Sequence, residues 1–483
     1  MAHVAVVDQT LGQGQHVLWN DRLGADMILP IAAILDRVGY KAIDRVSQST
    51  FSGYKGRFDE DPWEELRLLT RSFRHTPIRA SVRCPAIVEN SALPEAVMEL
   101  WVRKLCEYGV KSFCLYDPLH DHVDQIATLA ALAARNGCEV VTAVFFTEDS
   151  VHTDSLYADI AKKLASSSDI SGLVIWDIAG VLTPMRVRSL VPAILEQVPK
   201  NLEILSHNVI GISPVTYLEG LSRSVQTIHS CCRPLANGSS LPSIEVTLHN
   251  LQLAGHSFEI RQDLLLQVAD HFRKIAERTD LPIGKMSEYD LYAFEHQLQG
   301  GISHFLQTEL GPKRKGEMDK VLIEMGLVRK ELGYPPMVAP FSTMIQEIAL
   351  SNILTKERYA QPNDTLLRYV SGYYGNSAGP IDSAVEVAIK DSLGRKASAT
   401  TTVEPQASLT MLRNQHKQLS EEEFITRHLR GGAGSASVAE SAVGERAPFT
   451  SYAELDQITS IIRQAKIRSI DIESGEISIS LLR

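Results

Sequence analysis

The sequence predicts a (β/α)8 barrel followed by a region built of helices without strands. Three observations carry this expectation. Eight short apolar, β-branched runs alternate with amphipathic segments along the first half of the chain. The densest run, Gly172-Leu173-Val174-Ile175-Trp176, ends in Asp177, and Ala179-Gly180 gives the backbone room to turn into the next helix. Past about Asp263 the apolar spacing becomes purely helical.

The strand-like runs are His3 to Val7, Ala42 to Val46, Ile78 to Val82, Ser112 to Tyr116, Val140 to Phe146, Leu173 to Ile175, Leu202 to Leu205 and Val225 to His229. The Leu173 to Ile175 run is continuously apolar, as strands covered on both faces are. Between them lie amphipathic segments such as Glu95 to Tyr108 and His122 to Arg135. Eight β-then-α units close into a parallel barrel, whose C-terminal strand ends carry the site. Trp176 and Asp177 are therefore expected at its mouth.

Helices follow over Asp263 to Thr279 and Gly316 to Leu332, and Gly333-Tyr334-Pro335-Pro336-Met337-Val338-Ala339-Pro340 breaks the pattern. Leu429 to Pro448 is rich in Gly, Ala, Ser and Glu and reads as a linker. Beyond it, Tyr452 to Ala465 is helical, and Ile470, Ile472, Ile477, Ile479 and Leu481 form a hairpin pattern around Ser474-Gly475. The expected units are a barrel over 1–262, a helical domain over 263–428, a linker over 429–449 and a small helix/β-hairpin module over 450–483.

Composition narrows the function. A net charge of −10 leaves no basic footprint for nucleic acid, and no apolar span is long enough for a membrane helix. The six cysteines show no C-x-x-C pairing and read as reduced core thiols. Met1-Ala2-His3-Val4 leads straight into a strand, so a cytoplasmic location is expected.

Trp176-Asp177-Ile178-Ala179-Gly180-Val181-Leu182-Thr183-Pro184 resembles the segment K-D-M-A-G-L-L-T-P of the carboxyltransferase family. That family includes pyruvate carboxylase, the oxaloacetate decarboxylase α subunit and the large transcarboxylase subunit. Gly333 to Pro340 is similar to the family's G-Y-P-P-L-V-T-P, with Glu357-Arg358-Tyr359 and Gly375 to Pro380 at family-like positions. The resemblance covers roughly residues 1 to 390 and implies a TIM barrel with a helical funnel beside its mouth. The tail from Tyr452 is similar to the N-terminal segment of biotin carboxyl carrier protein. That likeness implies docking on biotin carboxylase, although no A-M-K-M motif lies between it and Arg483.

The family's metal ligands are carried over position by position. The signature D-T-T-L-R-D-A-H-Q-S reads Asp8-Gln9-Thr10-Leu11-Gly12-Gln13-Gly14-Gln15-His16-Val17. The metal-binding aspartate has become Gln13, the signature arginine Gly12 and the glutamine that contacts the 2-oxo acid His16. The carbamylated lysine is Trp176, and the H-x-H pair is Leu205-Ser206-His207, so His207 is the one ligand retained. A divalent cation needs about three well-placed protein donors, and an indole offers no lone pair. No metal is expected.

Other positions persist. The resemblance makes Arg83 the arginine that pairs with a substrate carboxylate, Asp117 the acidic residue of the fourth strand and Ser239 the proton-relay hydroxyl. Asn90 replaces a family tyrosine. Each has a plainer reading: Arg83 and Asp117 paired with one another or with loop backbone, His207 a hydrogen-bonded relic, Ser239 a turn residue, His16 a surface loop residue. Trp176 either fills the pocket or forms a stacking wall. The expected catalytic residues are Ser239, Asp117 and His16, and the expected substrate contacts are Arg83, Trp176, Gln13 and His207.

The resemblance implies a carboxyltransferase-like subunit of a biotin-dependent carboxylase that acts without metal on a small substrate. Carboxybiotin would come in trans from a carrier protein. Biotin carboxylase or the carrier would dock through 450–483, and the chain would form a homodimer. Two alternatives stand beside it: a catalytically silent scaffold, and a 2-oxo acid decarboxylase of the oxaloacetate type.

Overall fold

The computed structural model describes residues 3–52, 61–88, 91–298, 310, 316–395, 408–431, 469–474 and 477–482. Eight parallel strands close a barrel: β1 (Ala5–Asp8), β2 (Ala42–Ser47), β3 (Ile78–Arg83), β4 (Ser112–Tyr116), β5 (Glu139–Phe145), β6 (Gly172–Asp177), β7 (Asn201–Ser206) and β8 (Thr227–Ser230). Each pairs with its sequence neighbours, and β8 closes on β1 with Asp8 opposite Ser230. All eight strands lie where the apolar runs placed them.

The turn after β6 shows how the sequence builds the mouth. Asp177 is buried and accepts the backbone N–H groups of Val181 (3.0 Å) and Leu182 (2.8 Å). Gly180 has φ +69°, and a Cβ there would lie 2.4 Å from the His207 carbonyl oxygen. Thr183 then caps the helix Pro184–Gln197 by accepting the Arg186 N–H at 3.1 Å.

The barrel interior holds charge as well as apolar side chains. Arg79 donates to Glu203 at 2.7 Å, and Lys41 donates to the other oxygen of Glu203 at 2.7 Å. His229 meets the same carboxylate at 2.8 Å. Arg79, Glu203 and His229 are fully buried, so this cluster survives only because every charge has a partner.

The apolar core divides differently from the expected 262/263 boundary. Helix Gln262–Thr279 buries Leu264, Leu265, Val268, Phe272 and Ile275 in the barrel's own cluster. Helix Glu421–Leu429 does the same through Phe424, Ile425 and Leu429. Trp63 fixes that second helix by donating to the Glu422 carbonyl (3.1 Å), and Lys104 pairs with Glu421 and Glu422.

A second cluster belongs to the helices Met318–Glu331, Phe341–Thr355 and Asp364–Val370. It is tied to the barrel by Arg329, which donates to Asp149 at 2.6 Å. All six cysteines are buried and unbridged. Strands β9 (Ser469–Ser474) and β10 (Ile477–Leu482) pair antiparallel, as the tail pattern predicts. The helix expected over Tyr452 to Ala465, most of the linker and Asn90 lie outside the described residues.

Candidate active site

The mouth of the barrel holds a cavity of about 540 Å³. Five of the seven residues singled out from sequence line it: Gln13, His16, Arg83, Trp176 and His207. They come from the loop after β1 and the ends of β3, β6 and β7. Val338, Ala339 and Pro340 roof it, so the Gly333–Pro340 breaker delivers chain over the mouth.

Arg83 joins roof to barrel. Its Nη1 donates to the Ala339 carbonyl, and its guanidinium carbon sits 5.7 Å from the centroid of Phe341. Its Nε is buried and has no protein partner. Burial pulls its pKa down, while nearby Tyr116 and Asp117 push the other way. A guanidinium so placed remains charged and has a donor to spare.

Trp176 is 3% exposed and both fills and walls the site. It stacks on Phe145 at 5.0 Å and 20°, and meets Tyr116 edge-on at 5.2 Å. Its Nε1 is buried without a protein partner. Leu205 packs in the same apolar cluster.

His207 donates from Nδ1 to the Ser239 carbonyl at 2.7 Å, which leaves the lone pair on Nε2 without a protein partner. Burial lowers its pKa to about 4, only partly opposed by that hydrogen bond, so the ring is neutral. His16 pairs with Asp21 at 2.8 Å. Desolvation works against the imidazolium, but the Asp21 hydrogen bond and charge outweigh it and raise the His16 pKa.

Two expected catalytic residues are placed elsewhere. Asp117 spends its carboxylate on its own loop, accepting the N–H groups of Leu119, Asp121 and His122 (3.1, 2.9 and 3.0 Å) and pairing with the His122 ring at 2.9 Å. It does not line the cavity, and no hydrogen bond joins it to Arg83. Ser239 contributes its main-chain carbonyl to His207, and its side chain is not among the cavity lining. That carbonyl fixes the tautomer of His207.

Sequence reasoning passed over Asp44, which lines the cavity from β2. It also gave no reason for Gly12. A Cβ on Gly12 would lie 2.7 Å from Gln9 Oε1 and 3.2 Å from Asp44 Cβ, so a larger residue would displace both.

The donor set decides whether the family's metal fits. Of the four ligand positions, Leu205 is apolar, Trp176 offers only an N–H, Gln13 is a neutral amide, and His207 alone presents a lone pair in the right tautomer. Among the described residues, no group of three or more His, Cys, Asp or Glu is arranged to hold a metal. The residues at this position do not fit the ion.

Residues 307–437 match the conserved carboxylase domain family. A pyruvate carboxylase subunit of Methanocaldococcus jannaschii is 32% identical over 383 residues, covering 78% of this chain and 67% of that protein. The 2-oxoglutarate carboxylase large subunit of Hydrogenobacter thermophilus is 24% identical over 78% of this chain and 58% of its own length. The carboxyl transferase domain of Rhizobium etli pyruvate carboxylase, solved with oxamate and biotin, matches with a TM-score of 0.76 and 18% identity over 88% of this chain and 76% of that one. At that identity the likeness speaks for the fold.

A barrel roofed by a helical domain is the fold shared with that solved carboxyl transferase domain. This chain belongs to the carboxyltransferase family of biotin-dependent carboxylases, alongside the archaeal pyruvate carboxylase chain.

Proposed function

We propose that this chain is a carboxyltransferase subunit that moves a carboxyl group from carboxybiotin to a small acceptor bearing its own carboxylate, without a metal at the family's position. The observation that carries the reading is Arg83, held under the roof by Ala339 and Phe341, whose Nη2 makes no hydrogen bond among the described residues and is not sealed from the cavity. Its planar fork suits a carboxylate, and Trp176 stacked on Phe145 offers a flat wall for the rest of the acceptor. His16, whose pKa the Asp21 hydrogen bond and charge raise against desolvation, adds a titratable imidazole to the lining.

Carboxybiotin reaches the site on a partner's carrier domain. Biotin carboxylase or that carrier docks on residues 450–483, in a cytoplasmic assembly around a homodimer of this chain. No helix among the described residues is long and apolar enough to cross a membrane.

The test is labelled-bicarbonate transfer by this chain, reconstituted with a biotin carboxylase and a biotinylated carrier, across a panel of small 2-oxo, amino and guanidino acids. Transfer to one class that collapses in Arg83→Ala supports the reading. Absence of transfer to every class would favour the silent scaffold, a role consistent with the loss of metal donors at three of four ligand positions.

A further inference from the structure

Among the described residues, the cavity contains one carboxylate that no cation holds. Asp44 lies on β2 between buried Ile43 and Arg45, is itself 5% exposed, and lines the cavity. Its two hydrogen bonds fall on one oxygen: Ser81 Oγ donates to Oδ2 at 2.5 Å, and Gln9 Nε2 donates to the same atom at 3.2 Å. Among the described residues Oδ1 makes no hydrogen bond, yet it is not one of the sealed, unpartnered atoms. That oxygen is the one left open to the cavity.

The Gln9 bond belongs to a chain whose polarity is set from below. Glu203 is held ionised by Arg79 and Lys41, so it accepts from His229 Nε2 at 2.8 Å. His229 Nδ1 is then an acceptor and takes one Gln9 amide hydrogen at 3.0 Å. The Gln9 carbonyl is engaged by the Gln13 N–H at 3.2 Å, so the other amide hydrogen points at Asp44. Every donor in this chain is committed, and Oδ2 cannot turn away.

We propose that Asp44 is the proton-handling residue of this cavity, with Oδ1 the atom that takes and returns the proton and with Ser81 and the Gln9–His229–Glu203 chain as its positioning residues. The inference rests on the reading that the cavity binds a small carboxylated acceptor. In the transfer, the acceptor's N–H or C–H bond breaks and its electron pair forms the bond to the incoming carboxyl carbon. The proton passes to Oδ1 and from there to the ureido nitrogen that the carboxyl group has left, so charge and atoms balance.

The electrostatics agree. Burial pushes the Asp44 pKa up, the Ser81 bond, the Arg79 charge and the Gln9 bond pull it back, and Glu203 repels it, leaving it at about 6. A base poised there is ready at neutral pH. The other groups facing it are accounted for. Cys114 and Tyr116 on β4 are pushed by burial well above neutrality and stay protonated. Across the cavity Arg83 stays charged and His207 neutral. Asp8 on β1, raised to about 7 chiefly by burial, and His16 beside Asp21 are the two other groups able to titrate nearby.

Calorimetric binding of oxamate to the full chain, in buffers of different ionisation enthalpy, tests this directly. An anion beside Asp44 raises its pKa further, so binding takes up roughly half a proton or more just above pH 6. Uptake persists in His16→Gln and Asp8→Asn and disappears in Asp44→Asn, which still binds. Ser81→Ala, which removes a bond favouring the carboxylate, moves the uptake maximum to higher pH. Wild-type-like uptake in Asp44→Asn, or an unmoved maximum in Ser81→Ala, overturns the role of Asp44. Failure of wild type to bind oxamate at all contradicts instead the carboxylate-site reading.

Discussion

Trp176 and Leu205 are register partners on adjacent barrel strands, β6 and β7, and pack into one apolar cluster at the mouth. Both stand where relatives of the resemblance hold metal ligands. Replacing two donors by neighbours that pack on each other converts a polar pair of positions into part of the wall.

The first prediction concerns metal content. Purified protein is expected to carry far less than one equivalent of zinc, manganese or cobalt per chain. Elemental analysis after gel filtration measures it, and about one equivalent retained through a chelator wash would refute the donor argument.

The aromatic wall should be structural as well as functional. Trp176 is almost wholly buried against Phe145 and Tyr116, so Trp176→Ala should cost about 3–5 kcal/mol by opening a cavity. Trp176→Phe should recover most of it. Denaturant unfolding of the three proteins decides, and a loss under about 1 kcal/mol would mean the wall collapses without penalty.

A pH signature follows from the His16–Asp21 pair. The His16 pKa is raised in the folded state, so the pair stabilises fully below the unfolded histidine value near 6.5. That contribution is lost as pH rises through the higher folded value. Melting temperatures of wild type and His16→Gln should differ at pH 5.5 to 6 and converge by about pH 8. A difference that instead grows with pH has the wrong sign for this pairing.

Deleting residues 450–483 should leave the thermal transition of the barrel nearly unchanged and abolish co-purification with biotin carboxylase. The described barrel core draws on no residue beyond Leu429. A complex that survives the deletion would move the docking surface elsewhere on the chain.

Much of this molecule is legible in its sequence because short apolar, β-branched runs alternate with amphipathic segments, and all eight strands fall on such runs. Arg83, Trp176 and His207 could be placed at the mouth because each sits at a strand end. Asp44 could not: its neighbours Gln9 and Ser81 lie 35 and 37 positions away, and nothing local marks a carboxylate between Ile43 and Arg45 as special. Asp117 and Ser239 fall outside the cavity lining for a different reason. Each keeps the expected place in the chain, but the side chain of one and the carbonyl of the other serve neighbouring loops. The Gly333 to Pro340 breaker and its family likeness mark a funnel beside the mouth, but where Ala339 meets Arg83 depends on how the second core docks.

The most direct test of the central claim is an oxamate titration of chelator-treated protein, wild type against Arg83→Ala. A charge-assisted pair in a partly dry site is worth on the order of 2–4 kcal/mol on truncation. The account predicts saturable binding that chelation does not change and that Arg83→Ala weakens by roughly 30- to 1000-fold, with Arg83→Lys recovering part. Binding that vanishes on chelation and returns with manganese or zinc, or that ignores Arg83→Ala, would contradict it.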